Sequence, residues 1–226
     1  MDNKEKYIID YSEMAHFKGI RVSFEHLEEG LDYAQENGIK EVCVWTDGDW
    51  SKQVISFDFL RGRDFIETFH WLVPMSKKSN IDGLKYLYGL KNLRWSAAGD
   101  FKLDLSIFPM LEQLNISYGP KINGWGQVKL KRLQIAALKT EDLSLLEQAH
   151  NLEYLRIIGS SIVTISGIER CQKLKTLFLQ KCTQLRGIKT TISELHELEQ
   201  LNLEGCKNLD VEKELAGITV KHISII

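Results

Sequence analysis

The stretch LKTLFLQKCTQLRGIKTTISELHELEQLNLEGCKNL, residues 174–209, contains one apolar pattern twice. Leu174 is followed by apolar residues three and five positions later, at Leu177 and Leu179, and the same triplet recurs at Leu198, Leu201 and Leu203. The last two members of the triplet alternate with polar residues, as a strand with one buried face requires. The stretch therefore predicts a β-strand that is repeated at a regular interval.

Nine such triplets run along the chain, and their middle members are Val42, Phe69, Leu93, Leu114, Leu133, Leu155, Leu177, Leu201 and Ile223. The successive spacings of 27, 24, 21, 19, 22, 22, 24 and 22 residues suit the leucine-rich repeat, whose period is about 20 to 29 residues. A single coil cannot bury its apolar face, so neighbouring coils must stack against each other. The sequence thus predicts an α/β leucine-rich repeat solenoid. We expect a curved parallel β-sheet on its concave face and short helical or 3₁₀ segments on its convex face.

The repeat divides the chain into two regions, which we expect to form a single structural domain. Residues 1–38 break the repeat and are predicted to be an N-terminal α/β cap, and residues 39–226 are predicted to form a solenoid of about nine coils. The first coil is atypical. Its residues 46–59 contain an Asp-Gly turn signal and a second alternating segment, which predict an extra strand or hairpin.

Within the cap, residues 18–24 alternate as a short strand, and residues 25–37 place apolar residues at helical spacing. Ser23 is a candidate N-cap for this helix, and Gly38 is suited to end it. An acidic cap of this kind covers the open apolar end of a solenoid and keeps that end solvated.

The composition, 226 residues with 43% hydrophobic content, is sufficient for a substantial core. No apolar run reaches the roughly 18 to 20 residues of a membrane-spanning helix. The first residues, MDNKEKYIID, lack the apolar run of a secretory signal. We therefore expect a cytoplasmic protein that does not enter membranes and whose four cysteines are reduced thiols.

The net charge of −2 hides an asymmetry along the chain. Residues 1–60 carry 13 acidic against 6 basic side chains, and residues 61–226 carry 18 acidic against 23 basic ones. A modestly basic solenoid favours a protein partner with an acidic surface. A net charge of +5 spread over residues 61–226 is too dilute to indicate nucleic-acid binding.

Cys182 and Cys206 each lie eight residues after the first leucine of their triplets. Leucine-rich repeats place Asn or Cys at this position, where the side chain turns inward and bonds the backbone of the bend, so both residues are predicted to be structural. Stacked coils bring the two positions to about 4.8 Å, a separation that permits a disulfide. The absence of an export signal argues for reduced thiols.

The sequence contains no constellation of catalytic or metal-ligating residues. His150 and His196 hold equivalent positions two coils apart, which places them roughly 10 Å from each other and too far to share a metal. Asp47 and Asp49 lie in a turn without further ligands, and HExxH, CxxC and phosphate-binding glycine motifs are absent. The sequence therefore predicts a non-enzymatic protein with no metal and no cofactor.

The better candidate for function is the concave face, where residues between and after the buried triplet members point outward in aligned columns. These columns gather three arginines and several aromatic residues, the side chains that most often anchor protein interfaces. The predicted partner-binding residues are His70, Arg94, Asn115, Tyr118, Arg132, Gln134, Tyr154, Arg156, Phe178 and Asn202. An open alternative is that these positions are polar only because exposed strand residues must be soluble.

Four stretches, DLSIFPMLEQLNIS, DLSLLEQAHNLEYLRI, SSIVTISGIERCQKLKTLFLQKC and LHELEQLNLEGCKNL, resemble bacterial leucine-rich repeat proteins of the internalin type, whose repeats are about 22 residues long. The resemblance covers roughly residues 66–226 and implies the fold, which serves many unrelated partners. Exported internalins carry signal and anchor sequences. Because neither is visible here, the resemblance implies a small cytoplasmic repeat protein, a group in which we expect immunity proteins that neutralise antibacterial toxins.

These observations support three hypotheses about function. The first is a scaffold that binds a protein partner on its concave face, with neutralisation of a bacterial toxin as its most concrete form. The second is a self-associating module that forms a homodimer through the uncapped C-terminal edge strand, residues 220–226. The third is a regulatory domain with a cryptic site in the N-terminal part of the chain, residues 1–65.

Overall fold

The computed structural model describes residues 7–10, 17–97, 100–127 and 129–226, with the backbone alone at residues 7–10 and 127. No helix in these ranges is long and apolar enough to cross a membrane.

The chain forms two compact units. The first unit consists of Met1–Leu111 with Pro120–Ile122, and the second consists of Glu112–Gly119 with Asn123–Ile226. The organisation of the chain as one structural domain, with a boundary between cap and solenoid at residue 38, stays a prediction.

The first unit contains strands from the cap and from the first repeats. Its strands are β1 (Tyr7–Asp10), β2 (Gly19–Ser23), β3 (Glu41–Trp45), β4 (Thr68–Trp71), β5 (Asn92–Trp95) and the two-residue β6 (Leu103–Asp104). Strands β2 to β5 pair in chain order and are parallel, whereas β1 is antiparallel to β2. Ile20 of β2 is in register with Val42 of β3. The cap therefore contributes a strand to the same ladder as the repeats.

Helix α1 (Leu27–Glu36) connects β2 to β3 and forms the helical part of the predicted cap. It buries Leu31 and Ala34, which lie on one face at helical spacing. Gly38 follows with a φ of +65°, a left-handed conformation that glycine adopts without strain, and it ends the helix as predicted.

Ser23 does not act as the predicted helix N-cap. A 3₁₀ turn, Phe24–His26, lies between Ser23 and α1, and the Ser23 side chain accepts no capping hydrogen bond from it. The hydroxyl instead donates to the carboxylate of Glu25.

The second unit is a regular stack of strands. The remaining strands are β7 (Gln113–Ser117), β8 (Ile122–Asn123), β9 (Arg132–Ala136), β10 (Tyr154–Ile158), β11 (Thr176–Gln180), β12 (Gln200–Glu204) and β13 (His222–Ile225). Strands β7, β9, β10, β11, β12 and β13 pair in this order, and all are parallel. Leu133, Leu155 and Leu177 are aligned in register and fully buried. The middle residue of every predicted triplet lies in a strand, which confirms the repeat.

The segments between the strands are short, as the coil length predicts. They include the helices α2 (Lys189–Glu194) and α3 (Val211–Leu215). After the 3₁₀ turn at Phe24–His26, further 3₁₀ turns lie at Phe57–Leu60, Asp82–Tyr86, Leu105–Ile107, Trp125–Gln127 and Ser144–Leu146. This architecture confirms the predicted fold class.

Residues 46–59, all of which are described, form no hairpin, so of the predicted strand or hairpin only a single bridge is present, between Ser56 and Asn80. The alternation in this segment is real, because Ile55 and Phe57 are both buried. Its partner is the next coil: Phe57 N donates to Asn80 O, and Asn80 N donates to Ile55 O, both at 2.9 Å. A segment that pairs with a neighbouring coil satisfies its backbone without folding back on itself.

Strand β13 continues the apolar columns of the second unit but does not bury them. Ile223 and Ile225 are in register with Leu201 and Leu203. The two isoleucines are 38% and 55% exposed, whereas the two leucines are 0% and 2% exposed. The last strand therefore presents core-type side chains to solvent.

Candidate protein-binding face

In the second unit, the residues between the buried triplet members form aligned columns on the open side of the sheet, because the strands are parallel and in register. We call this surface the ladder face. It comprises Asn115, Arg132, Gln134, Tyr154, Arg156, Thr176, Phe178, Gln180, Gln200, Asn202 and Glu204, all exposed or half-buried.

Arg132 and Tyr154 form the first of two stacked pairs on the ladder face. The guanidinium carbon of Arg132 on β9 lies 4.2 Å from the ring centroid of Tyr154 on β10. The two residues are register partners, and the spacing of parallel strands, about 4.8 Å, brings the guanidinium onto the ring. Such a contact is worth roughly 0.5–1 kcal/mol at an exposed site. Arg132 is exposed, so a partner has access to its charge.

Arg156 and Phe178 repeat this arrangement one coil further along. The guanidinium carbon of Arg156 on β10 lies 4.5 Å from the ring centroid of Phe178 on β11. Nη2 of Arg156 also donates to Oε1 of Gln180 at 2.7 Å. Nε is buried and has no hydrogen-bond partner among the described residues. The ring and the amide together hold the guanidinium in one orientation.

Gln180 extends this contact to a carboxylate on the next strand. Its Nε2 atom donates to both oxygens of Glu204, at 2.8 and 2.9 Å. The Gln180 amide therefore accepts a hydrogen bond from the cation Arg156 through its oxygen and donates hydrogen bonds to the anion Glu204 through its nitrogen. Glu204 ends the basic part of the ladder face at β12.

The two stacked arginines are not neutralised by direct ion pairs. Neither Arg132 nor Arg156 forms a salt bridge with another described residue. Two fixed positive groups over aromatic rings can hold a carboxylate of a partner, since guanidinium and carboxylate form strong paired hydrogen bonds.

The other predicted residues of the second unit lie around these stacks. Gln134 donates to Asn115 at 3.3 Å, so the structure brings these two amides together. Asn202 on β12 is the register partner of Phe178 and is half-buried. Tyr118 follows the end of β7 and is half-buried as well. Their role in partner binding stays a prediction.

His70 is not an exposed residue, contrary to the prediction. It is 5% exposed, and its ring centroid lies 5.0 Å from that of Phe17. Burial lowers the pKa of His70 to about 4, and the positive charge of Arg94 acts in the same direction. Phe17 precedes β2 and is itself buried. Arg94, the predicted residue on β5, is half-buried in the first unit.

The structure adds residues that the sequence reasoning did not place in the site. Gln180 and Glu204 occupy one of the outward columns, but their role in fixing Arg156 depends on side-chain orientation that the pattern does not encode. The cover that Phe17 provides over His70 has no signal in the repeat, because Phe17 lies outside it.

The N-terminal part of the chain, residues 1–65, contains a carboxylate that is fully used within the fold. Glu25 accepts from Ser23, from Thr46 Oγ1 at 2.7 Å and from Trp50 Nε1 at 3.2 Å. These three hydrogen bonds lower the pKa of Glu25 to about 2, and the bond from Ser23 has the largest effect. Glu25 therefore anchors the loop after β3. A cryptic site in this region stays a prediction.

Comparison with known proteins supports the fold. No protein-family model matches the chain, and no curated protein matches it. Internalin C2 from Listeria monocytogenes is similar in structure, with a TM-score of 0.54, 15% sequence identity and coverage of 88% of this chain and 84% of that chain. A second internalin from the same organism, InlF, has a TM-score of 0.47, 12% identity and coverage of 92% and 81%.

The structure of TLR13 in complex with ssRNA13 is also similar, with a TM-score of 0.52 and 19% identity. The match covers 80% of this chain and 33% of the TLR13 chain, so this chain spans about a third of that receptor's length. The chain thus has a leucine-rich repeat fold like that of internalin C2, at low sequence identity. This fold typically serves as a scaffold for binding proteins.

Proposed function

We propose that this chain is a non-enzymatic scaffold that binds an acidic surface of a protein partner through the ladder face. The observation that carries the proposal is the pair of parallel stacks, Arg132 on Tyr154 and Arg156 on Phe178. Arginine and aromatic residues supply much of the binding energy of protein interfaces. Because stacking fixes these long side chains beforehand, less side-chain entropy is lost when a partner binds.

The charge of the chain favours a protein over a nucleic acid as the partner. TLR13 was solved with an RNA, but its likeness to this chain extends to the fold alone. Nucleic-acid binding draws its affinity from many lysine and arginine contacts to phosphates, and the net charge here is −2. Two fixed guanidinium groups bounded by Glu204 suit a small carboxylate cluster on a protein.

The most specific form of this proposal is a cytoplasmic immunity protein that neutralises an antibacterial toxin. The internalin-like fold and the basic stacks support it. We expect co-purification from the native host to recover one stoichiometric partner. Expression of that partner alone should arrest bacterial growth, and co-expression of this chain should restore it. A partner that leaves growth unaffected would exclude the immunity role and leave the scaffold role intact.

The ladder face is tested with the purified partner. The double variant Arg132→Glu with Arg156→Glu replaces both stacked cations by carboxylates. These carboxylates repel an acidic partner. Loss of two anchor residues should weaken binding by at least about 100-fold in isothermal titration calorimetry. Retained affinity in this double variant would rule out the ladder face as the binding surface.

The matched control is Arg186→Glu, which makes the same charge change at an exposed residue in the segment after β11. Its affinity should stay within about threefold of the unmodified chain, because it lies off the ladder face. Arg94→Glu is a separate variant, and it shows whether the first unit takes part in binding.

A second candidate function is self-association through β13. The observation in its favour is that Ile223 and Ile225 are partly exposed although they continue columns that are buried elsewhere. An exposed parallel edge with apolar side chains can pair with another chain and bury them. We propose a homodimer through this edge as the alternative to partner binding on the ladder face.

Sedimentation velocity over a range of concentrations decides whether the dimer forms. Ile225→Lys should shift the equilibrium to monomer, because a charge cannot be buried in an apolar edge. Val54→Lys is the control, since it introduces the same charge at a residue that is 61% exposed and belongs to the first unit rather than to the unit that contains β13. A strict monomer for the unmodified chain at high concentration excludes self-association.

A further inference from the structure

Three successive coils of the second unit carry a small polar side chain two residues after the end of a strand. These residues are Ser160 after β10, Cys182 after β11 and Cys206 after β12. Strands β11 and β12 are in register, and Lys181 N still donates to Glu204 O at 2.7 Å. The two coils therefore stay paired up to the residue before Cys182, and the two cysteines occupy equivalent positions in adjacent coils.

Both sulfur atoms lie at the carboxyl end of β11. Cys206 Sγ is 3.4 Å from Leu179 O in the preceding coil. Cys182 Sγ is 3.6 Å from Gln180 O in its own coil and 3.8 Å from Ile157 O in the preceding one. Two of these carbonyl groups, Leu179 O and Gln180 O, belong to consecutive residues of β11. Each sulfur therefore lies between a carbonyl of its own coil and one of the preceding coil, since Cys206 Sγ is also 3.8 Å from Glu204 O, and the two thiols occupy equivalent places in successive coils.

The position itself does not require a thiol. Ser160 fills it one coil earlier, where its Oγ accepts from Leu138 N at 3.0 Å and lies 3.1 Å from Ile158 O. A hydroxyl therefore satisfies the backbone of the bend as well as a thiol does. Two adjacent thiols can be oxidised to a disulfide, and the bonding of the bend backbone does not explain why both residues are cysteines.

The two thiols interact directly and differ in environment. Cys182 is fully buried, and Cys206 is partly exposed. The hydrogen bond from Cys182 favours the thiolate of Cys206 and lowers the pKa of Cys206 to about 7. The same interaction, together with burial, raises the pKa of Cys182. Cys206 is accordingly the sulfur that reacts first, because the thiolate is the nucleophile.

We propose that Cys206 and Cys182 form a redox site in which a hydroperoxide joins the two adjacent coils by a disulfide. Stacked parallel coils hold equivalent residues about 4.8 Å apart, within the usual range of Cα separations in disulfides. The proposal does not depend on which partner the ladder face binds.

The reaction proceeds in two balanced steps. The Cys206 thiolate attacks one oxygen of the hydroperoxide, the O–O bond breaks, and the leaving oxygen takes up a proton, which gives a sulfenic acid and water or an alcohol. The Cys182 sulfur then attacks the sulfenic sulfur, the S–O bond breaks, and the departing hydroxide takes the Cys182 proton as water. Two thiols lose two electrons in total, and the peroxide gains them. A dithiol reverses the change by thiol–disulfide exchange.

Peptide mass spectrometry of the full chain tests the proposal, because trypsin places each of the four cysteines on a different peptide. The reduced protein is treated with hydrogen peroxide, unfolded, alkylated and digested. We expect peptides 182–186 and 190–207 to be joined within one molecule and separated again by dithiothreitol. Cys43 and Cys171, both buried, should remain alkylatable after unfolding.

Two serine variants distinguish the redox site from a purely structural pair, and Ser160 shows that serine suits this position. In Cys182→Ser, peroxide should leave a sulfenic acid on Cys206 that a 1,3-dione traps. In Cys206→Ser, Cys182 should stay unmodified. Circular dichroism verifies that both variants fold. Oxidation of Cys43 or Cys171 at the rate of Cys206, a disulfide formed only between molecules, or the absence of the 182–206 link would each overturn the proposal.

Discussion

At the scale of single residues, His70 stabilises the first unit only while it is neutral. Burial lowers its pKa from 6.5 to about 4. Between these pH values the unfolded chain binds a proton that the folded chain does not, so the free energy of unfolding falls as the pH is lowered through this window. Between pH 6.5 and 5 the expected loss is about 1.5 kcal/mol.

Urea unfolding at both pH values measures this loss through tryptophan fluorescence, since four of the five tryptophans lie in the first unit. His70→Gln should remove most of the difference in stability between the two pH values. The control is His222→Gln, which makes the same replacement at an exposed residue on β13. In this variant the difference in the free energy of unfolding between the two pH values should persist. If the difference also persists unchanged in His70→Gln, His70 is not the titrating group.

At the scale of elements, the residue before each of the nine strands that carry the apolar triplets alternates in charge along the chain. The column reads Lys40, Glu67, Lys91, Glu112, Lys131, Glu153, Lys175, Glu199 and Lys221. In the first unit, Glu67 Oε1 lies 2.7 Å from Lys40 Nζ, and Glu67 Oε2 lies 2.6 Å from Lys91 Nζ. Neighbouring coils therefore carry opposite charges, whereas a skipped coil would bring like charges together. The column favours the correct order of coils as well as their stability.

Glu67→Lys tests this column, because it places three lysines in consecutive coils. Hydrogen bonds from Lys40 and Lys91 hold the pKa of Glu67 below its ordinary value, which shows that its carboxylate is stabilised. We expect Glu67→Gln to lower the free energy of unfolding by about 0.5–1 kcal/mol and Glu67→Lys to lower it further. The additional loss in Glu67→Lys should shrink at high salt, because salt screens exposed charges.

Glu153→Gln is the control for this prediction. Glu153 belongs to the same column but forms no salt bridge with another described residue. Its replacement should change stability by no more than about 0.5 kcal/mol. Equal losses in Glu67→Gln and Glu153→Gln would mean that the ion pairs at Glu67 contribute nothing beyond ordinary surface solvation.

The sequence predicts an element well where its contacts lie inside the repeat. Each triplet contains the alternation of its own strand, and equal spacing places neighbouring strands in register, so the stacking of Leu133 on Leu155 is determined by the pattern. The pattern fails where the partner lies elsewhere. Ile55 and Phe57 alternate like a hairpin strand but pair with the coil at Asn80, and nothing in the repeat indicates that Phe17 covers His70.

The same limit applies to the ladder face. Register predicts that Arg156 and Phe178 are neighbours, since both occupy the middle column of consecutive strands. It does not predict the bridge through Gln180 to Glu204, because that contact depends on the χ angles of three long side chains. Charge columns can therefore be derived from the sequence, whereas the orientation of each charged group needs coordinates.

At the scale of the whole molecule, a repeat protein is stabilised by contacts between nearest coils, so the value of one side chain depends on how many coils cover it. Leu201 and Ile223 are register partners on β12 and β13, but Leu201 is fully buried and Ile223 is 38% exposed. Leu201→Ala should lower the free energy of unfolding by about 2–5 kcal/mol, the cost of a cavity in a closed core. Ile223→Ala should cost less, about 1–2 kcal/mol, because more than a third of its surface stays in water when the chain folds.

Denaturant unfolding at two protein concentrations a hundredfold apart separates this prediction from self-association. For a monomer, both losses are independent of concentration, and the difference between the two variants persists. If β13 pairs with a second copy, Ile223 is buried in the dimer. Its replacement should then cost as much as that of Leu201, and only at the higher concentration, because association stabilises the folded state by mass action. Near-equal losses at both concentrations would contradict the exposed position of Ile223 in the monomer.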